Sequence, residues 1–250
     1  RASLGEAAFN AEVMMSVSDV DSELSLTADR VANSLNGAPR GVLPPGTDSA
    51  VAFCDVNIRK SKGLSWGVVA FGPGRVAAIV AYGRYPQRGA LVPPGSSDLV
   101  RNNLVAAGIR EVINIVTNLR LRDVNNRKVN LTAMGFDRGY LPDVVHRTLT
   151  VLRRTQPIPF PIAAVRGFGW KQFGTREKDK LRRGDHIFAT RSQYGQYLAE
   201  MSPYWREKMQ SGFLETPLMP GSTSIYGKNP VEHFEFANEI AAEKLVRTLA

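Results

Sequence analysis

The sequence predicts an α/β protein in which a mixed β-sheet is flanked by helices. Residues 49–82 form three consecutive β-rich segments with short glycine-containing connections, which is the pattern of antiparallel hairpins. Residues 98–119 then carry apolar side chains at helical spacing. Two more apolar strands, with a second helix between them, extend the order to βββαβαβ, and a terminal helix closes the chain.

The first predicted strand, residues 49–58, has apolar side chains on both of its alternating faces. Val51 and Phe53 share one face, and Cys54 lies on the other. Such a strand is typical of the centre of a sheet that is covered on both faces. Asp55 shares the face of Val51 and Phe53. Because a buried unpaired carboxylate is costly, we expect Asp55 to be protonated, bound to a cation or paired with an arginine.

The other elements follow from local signals. A Gly-Pro-Gly turn joins the second and third strands, residues 64–71 and 75–82, and Ser97 is expected to cap the helix at 98–119. In chain order, the later elements are a strand at 129–136, a helix from Pro142 to Arg154, a strand at 161–167, a strand at 185–189, a helix at 205–213 and a helix at 231–249.

The first 48 residues are not strand-like. Residues 26–35 predict a short helix with Thr27 as its N-cap, and a Pro/Gly-rich stretch precedes the first strand. We interpret residues 1–48 as an arm or linker to a domain outside this sequence, and residues 49–250 as one α/β domain.

Composition favours a polyanionic partner. The formal net charge over 250 residues is +9, although such an excess could also serve solubility alone. No apolar run approaches the roughly 20 residues that a membrane helix needs, and no signal peptide opens the sequence. The single cysteine, Cys54, excludes an intrachain disulfide. These features indicate a soluble protein of a reducing compartment, neither secreted nor in a membrane.

Basic and aromatic residues are interleaved between residues 166 and 183. Phe168, Trp170 and Phe173 lie among seven basic residues and two acidic ones, a mixture that suits a phosphate backbone and unstacked bases. A solvated loop with its aromatic rings packed on the core is the alternative. The candidate nucleic-acid contacts are Arg166, Lys171, Arg176, Lys178, Lys180, Arg182 and Arg183, together with Arg59, Lys60 and Lys62 after the first strand.

Two aspartates are candidates for one site. Asp137 ends the fourth strand, which in this order normally lies beside the first strand and parallel to it. Ligands bind at the carboxyl ends of such strands, so we expect Asp55 and Asp137 to converge. Alternatively, Asp137 only opens a turn with Arg138 and Gly139.

The terminal helix offers a third acid. Glu235, Glu239 and Glu243 follow one another at four-residue spacing and form one stripe, with Glu243 near the apolar stripe. Glu243 could point towards the sheet edge, and a solvated helix face is the alternative. Three carboxylates around one point repel one another unless cations hold them, and oxygen-only ligands favour Mg²⁺ or Mn²⁺. Two such ions about 4 Å apart can support phosphodiester hydrolysis.

Several short motifs together resemble a known family. They are Phe53-Cys-Asp-Val-Asn57, Leu64-Ser-Trp66, Tyr82-Gly-Arg-Tyr-Pro86, Asp137-Arg-Gly-Tyr140 and Ala241-Ala-Glu-Lys-Leu-Val246. With the strand order, they resemble the nuclease domain of lambda-type large terminase subunits of tailed phages, within the ribonuclease H-like superfamily. The resemblance implies a metal-dependent endonuclease that cuts double-stranded viral DNA during genome packaging, in the host cytoplasm.

The resemblance also implies roles and partners. Asp55, Asp137 and Glu243 would be catalytic metal ligands on a two-metal Mg²⁺ or Mn²⁺ site, with Glu239, Glu235, Glu232 or Asp185 as alternatives for the third acid. Expected partners are a packaging ATPase domain in the same full-length chain, the small terminase subunit and the portal. The phosphate loop of that ATPase is absent from this sequence. Other interpretations are a resolvase, an integrase, a ribonuclease H, an actin-like ATPase half or a non-catalytic DNA-binding module.

Overall fold

The structure is a computed structural model that describes residues 26–56, 58 and 63–242, apart from five side chains within 170–182. The strands of this part are β1 (Ser49–Asp55), β2 (Leu64–Gly72), β3 (Val76–Tyr85), β4 (Ala133–Asp137), β5 (Ile162–Phe168), β6 (Ile187–Ser192), β7 (Gly195–Met201) and β8 (Thr223–Ile225).

The helices are α1 (Ala28–Asn33), α2 (Asp98–Thr117), α3 (Pro142–Thr155), α4 (Thr175–Arg182), α5 (Ser202–Gly212) and α6 (Phe234–Ala242). Short 3-10 turns occupy Pro73–Arg75, Trp170–Gln172 and Pro230–His233. Among the described residues, no helix is both long enough and apolar enough to cross a membrane.

All strands join one mixed sheet in the order β6-β7-β5-β4-β1-β2-β3-β8. The pairs β1–β2 and β2–β3 are antiparallel and β4 is parallel to β1, as the sequence predicts. The structure also pairs β4 with β5 in parallel. Beyond this centre, β7 runs parallel to β5 and carries β6 as an antiparallel edge strand. At the other edge β8 runs parallel to β3. The protein is therefore an α/β protein built on a mixed sheet.

Local signals explain where the central elements begin and turn. The Ser97 hydroxyl accepts a hydrogen bond from the backbone N–H of Val100, and Thr27 does the same for Arg30, so both predicted N-caps are confirmed. The tight turn between β2 and β3 has Gly74 at a φ of 69°, a conformation that glycine adopts without steric cost. The predicted order βββαβαβ is likewise confirmed.

The structure differs from the sequence prediction at the sheet edges. Strands β7 and β8 were not predicted, and the segment between Arg166 and Arg183, predicted as a loop, contains the 3-10 turn and α4. Their patterns are weak for a physical reason: β8 has three residues, and β7 is half-buried at most of its positions instead of alternating between buried and exposed ones.

The prediction that β1 is covered on both faces is wrong. Its core face carries Ala52 and Cys54, which pack with Phe136 of β4 against α2 and α3. On the opposite face Phe53 is 41% exposed and Asp55 is half-buried. We call this opposite face, which β4 continues with Asp137, the acid face. Asp55 is thus not fully buried, and the argument from a buried carboxylate applies to it only in part.

The helices α1 and α6 cover the acid face towards β3 and β8. Val31 of α1 and Ala237 of α6 are buried there with Phe213 and Ile225. Residues 26–48 also reach the main core, where Leu43 is buried. The helix α5 begins beside β5 and ends beside β8, so it crosses this face. The centre of the acid face, around Phe53, stays open to solvent.

The difference between the two faces can be tested with adjacent phenylalanines. Phe136→Ala is expected to lower the free energy of unfolding by about 3–5 kcal/mol, because the ring is fully buried in the main core. Phe53→Ala should cost less than about half of that, because its ring is partly exposed. Urea denaturation of both variants measures the difference, and equal losses would contradict the assignment of faces.

Candidate active site

Asp55 and Asp137 lie side by side at the carboxyl ends of neighbouring parallel strands. The register of β1 and β4 pairs Cys54 with Phe136, and each aspartate is the next residue along its strand. Paired strands are separated by about 4.8 Å, and residues at the same register position point to the same face. The predicted convergence of these two acids is therefore seen in the fold.

A small residue keeps the floor beneath the acids flat. A Cβ atom on Gly135 would lie 2.9 Å from the Phe53 ring and 2.9 Å from a Val165 methyl group, so a larger side chain does not fit there. Phe53 accordingly lies across Gly135, two residues before Asp55. The acids thus stand at the end of an apolar floor that is partly open to solvent.

Its surroundings perturb the Asp137 carboxyl. Burial raises the pKa of the Asp137 carboxyl, and the nearby charge of Asp55 raises it further. Two backbone N–H groups and Arg166 act in the opposite direction, and the N–H of Gly139 donates to Asp137 Oδ1 at 2.9 Å. The thiol of Cys54, on the core face, also has a raised pKa because of burial and the charges of both aspartates.

A third acid on this face, Glu200, was missed by the sequence prediction. Glu200 of β7 is opposite Gly167 of β5, and a Cβ atom on that glycine would lie 3.2 Å from Glu200 Oε1. Burial raises the pKa of Glu200, the Ser202 hydroxyl that donates to Oε1 at 3.3 Å lowers it, and the charge of Asp137 raises it. The electrostatic link to Asp137 places Glu200 at the same end of the sheet.

The predicted third acids lie elsewhere or cannot be assessed. Glu243 lies outside the described residues, as do Arg59, Lys60 and Lys62. Glu235 and Glu239 are exposed on α6, which packs against α1. Glu232 is exposed in the turn before α6, and Asp185 is exposed before β6. None of these four is among the groups that shift the pKa of Asp137.

The predicted basic segment lies mainly on the core side of the sheet. Arg166 alternates with Val165 along β5, and its guanidinium lies 4.8 Å from the Phe168 ring centre. Phe168 packs with Phe173, which is buried, and with Phe188 in a small cluster. The alternative interpretation, in which Phe168 and Phe173 pack on the core, is thus the observed one for these two rings.

The basic residues of this segment differ in their exposure to solvent. Lys180 places its ammonium 4.7 Å from the Phe188 ring centre, and Lys178 is half-buried. Lys171 and Arg183 are exposed. The side chains of Trp170, Arg176 and Arg182 are outside the described part of the structure.

Two other arginines share the acid face. Arg84 of β3 is in register with Ser65 of β2, which is in turn paired with Asp55. Arg206 of α5 interacts electrostatically with Glu200. Neither was predicted as a functional residue, because only the strand register and the crossing of α5 bring them to the acids.

A buried cation links Asp137 to the β6–β7 hairpin. Arg138 is 3% exposed, and its guanidinium lies 4.1 Å from the Tyr197 ring centre and donates to Ser192 Oγ at 3.1 Å. Its Nε has no hydrogen-bond partner among the described residues, and burial lowers the pKa of its guanidinium. This residue ties the hairpin that carries Glu200 to the backbone beside Asp137.

Asp55 and Asp137 present carboxylate oxygens, the ligand type that Mg²⁺ prefers. Mg²⁺ is commonly bound by one or two carboxylates together with waters and substrate phosphates, which Asp55 and Asp137 could provide with a nucleic acid. Within residues 26–56, 58 and 63–242, no group of three or more Asp, Glu, His or Cys side chains is arranged to hold a metal ion. The number of ions therefore stays a prediction.

Comparison with known proteins finds no protein-family model and no curated protein that matches this chain. The geometry nevertheless indicates what kind of ligand could bind. Two adjacent carboxylates, with a third on the same face, favour hard cations and, through them, phosphate oxygens.

The raised pKa of Asp137 predicts a pH-dependent stability effect. Because the folded protein favours the protonated carboxyl, Asp137 lowers stability as the pH rises from the ordinary carboxyl range through its raised pKa. Asp137→Asn removes this cost and can still accept the Gly139 hydrogen bond. In EDTA, the variant should unfold at higher denaturant concentration than the wild type at neutral pH.

Below the ordinary carboxyl range both proteins carry an uncharged residue 137, so the gain should vanish there. Asp98→Asn, at an exposed position on α2, serves as the control and should show no such gain. A stability gain of Asp137→Asn that is the same at every pH would contradict the assignment.

Proposed function

We propose that this chain is a metal-dependent endonuclease domain with a ribonuclease H-like core, which cuts double-stranded viral DNA during packaging. The observation that carries the proposal is the parallel register of β1 and β4, which sets Asp55 beside Asp137 on an open sheet face. The positive net charge is favourable for a phosphate-rich substrate.

The topology supports the ribonuclease H-like assignment. The central strands follow the spatial order β3-β2-β1-β4-β5, with an antiparallel meander and then two parallel strands. The antiparallel meander and the parallel pairing of β4 with β1 are the parts of this order that the sequence predicts. The edge strands β6, β7 and β8 are additions on either side of that centre.

Asp55 and Asp137 would hold Mg²⁺ or Mn²⁺ through their carboxylate oxygens. The bound metal would supply Lewis-acid activation of water and charge stabilisation at the scissile phosphate. Asp55 and Asp137 are fixed by backbone pairing, so little reorganisation is needed when they bind. Glu200, oriented by Ser202, adds negative charge at the same end of the sheet.

Cations of the chain would orient the DNA. Arg84 and Arg206 share the acid face and would contact backbone phosphates beside the carboxylates. Lys171 and Arg183, which are exposed and follow β5 in the chain, would add further positive charge. The packaging ATPase domain, the small terminase subunit and the portal remain proposed partners, supported by the sequence resemblance.

The first test removes the central carboxylates. Asp55→Asn and Asp137→Asn should each reduce cleavage of linear plasmid DNA with Mn²⁺ by about 100-fold or more, because loss of a ligand removes several kcal/mol of stabilisation. Asp98→Asn, an exposed aspartate on α2, is the matched control and should cut normally. Gel assays with EDTA blanks measure the rates.

If Asp55→Asn cuts DNA at the wild-type rate, or if cleavage persists in EDTA, the proposal is refuted. Parallel reactions with branched DNA and with an RNA–DNA hybrid test the substrate. Preference for either of these over linear duplex would exclude the packaging role while keeping the nuclease.

The third acid can be identified by a panel of amide variants. We expect Glu200→Gln to reduce cleavage by roughly 10- to 100-fold, as loss of a supporting group around a metal site does. Glu239→Gln, exposed on α6, should have no effect. Glu243→Gln completes the panel, since the sequence resemblance assigns the role to that residue. If only Glu243→Gln impairs cutting, the assignment of Glu200 is wrong.

A further inference from the structure

An aromatic cluster lies where β6 begins and α5 makes its first turns. The rings of His186 and Tyr204 are stacked, with centres 3.5 Å apart and planes inclined by 14°. Trp205 meets Tyr204 nearly at a right angle, at 83° and 5.2 Å. This cluster is separate from the Phe168, Phe173 and Phe188 rings, which pack on the core side of the sheet.

Trp205 is both ordered and accessible. Its indole Nε1 donates to the backbone carbonyl of His186 at 3.2 Å, which fixes the orientation of the ring. Yet 43% of Trp205 is exposed, an unusual state for the largest apolar side chain. A ring that is held in place before binding loses little conformational entropy when a planar group stacks on it.

Basic residues lie near the cluster, in segments that also carry the exposed acids Asp185 and Glu207. The ammonium of Lys208 lies 5.5 Å from the Tyr204 ring centre. Arg206 follows Trp205 on α5 and interacts with Glu200, and exposed Arg183 lies three residues before His186. An aromatic ring bordered by cations is how sequence-tolerant proteins bind single-stranded nucleic acid, with bases on the ring and phosphates on the cations.

The cluster is also close to the acid face. Ser202, the first residue of α5, donates to Glu200, and Trp205 lies less than one helical turn further along α5. A strand whose phosphate reaches the acids could therefore place a neighbouring base at the indole.

We propose that Trp205 is a stacking site for an unpaired base of single-stranded DNA, with Lys208 and Arg206 binding the adjoining phosphates. The inference extends the proposed function, because it assigns the site of an unpaired strand segment beside the nuclease acids. Binding of the strand does not itself depend on cleavage. The sequence prediction placed base stacking on Phe168, Trp170 and Phe173. The half-buried Phe168 ring packs against the buried Phe173 ring, and the Trp170 side chain lies outside the described part of the structure, so we assign the role to Trp205.

The experiment measures DNA binding by the 250-residue chain without cleavage. Asp55→Asn protein in EDTA is titrated into fluorescein-labelled oligo(dT) of about twelve nucleotides, within the range that single-strand sites cover. Trp205→Ala should weaken binding by roughly 5- to 100-fold, the loss typical of one stacked base. Trp205→Phe keeps an aromatic face and should weaken it by less than about 3-fold.

Two controls separate stacking from general effects. Tyr194→Ala removes an aromatic residue of equal exposure, 43%, on the β6–β7 turn, and should leave oligo(dT) affinity within about 2-fold of the parent. A blunt duplex of the same length has no internal unpaired base, so Trp205→Ala should change its affinity by less than about 2-fold.

Photocrosslinking provides a measurement that needs no Trp205 variant. Oligo(dT) with one 5-iodouracil should crosslink to Trp205 of the parent protein, as mapped by mass spectrometry. Crosslinks confined to other residues, unchanged oligo(dT) affinity in Trp205→Ala, an equal loss in Trp205→Phe, or no binding by the parent would each overturn the proposal. If Trp205-dependent binding occurs but wild-type protein does not cut DNA, this inference stands and the nuclease proposal fails.

Discussion

The parallel pairing of β1 with β4 is the constraint on which the site depends. It sets two carboxylates beside each other at strand ends, where hydrogen-bonded backbone prevents them from moving apart. Their repulsion and the burial of Asp137 are unfavourable in the free protein, as the raised pKa of Asp137 records. The main core offsets this cost, because α2 and α3 bury the opposite face of the same strands.

The two faces of the sheet have different roles: one anchors the β6–β7 hairpin, and the other carries the acids. On the core face, Arg138 and the Phe168 cluster attach the β6–β7 hairpin to the centre of the sheet. On the acid face, the same hairpin presents Glu200, and the following helix carries Arg206 and Trp205. Successive residues of β7 point to opposite faces, so the same strand carries Tyr197, which anchors the hairpin on the core face, and Glu200, which lies on the acid face.

The sequence predicted the central elements because their signals are local. Glycine turns, N-caps and apolar periodicity identify β1 to β5, α2 and α3, and the strand order then places Asp137 beside Asp55. Glu200 could not be found in this way, since its position depends on β7 pairing with β5, about thirty residues earlier. The apolar residues of β1 also led to the wrong prediction that both faces of this strand are covered. Phe53 packs across Gly135, but its face of the sheet is open to solvent.

The cost of the site indicates why it is built on strands rather than loops. Asp137 and Glu200 have raised pKa values because of burial, and Arg138 keeps a buried guanidinium nitrogen without a hydrogen-bond partner among the described residues. Each is unfavourable alone, and a loop would relax to relieve it. Backbone pairing across β1, β4, β5 and β7 prevents that relaxation, so the carboxylates stay close together. A rigid, electrostatically unfavourable arrangement is what the proposed cation site would require, because a bound cation would offset the repulsion.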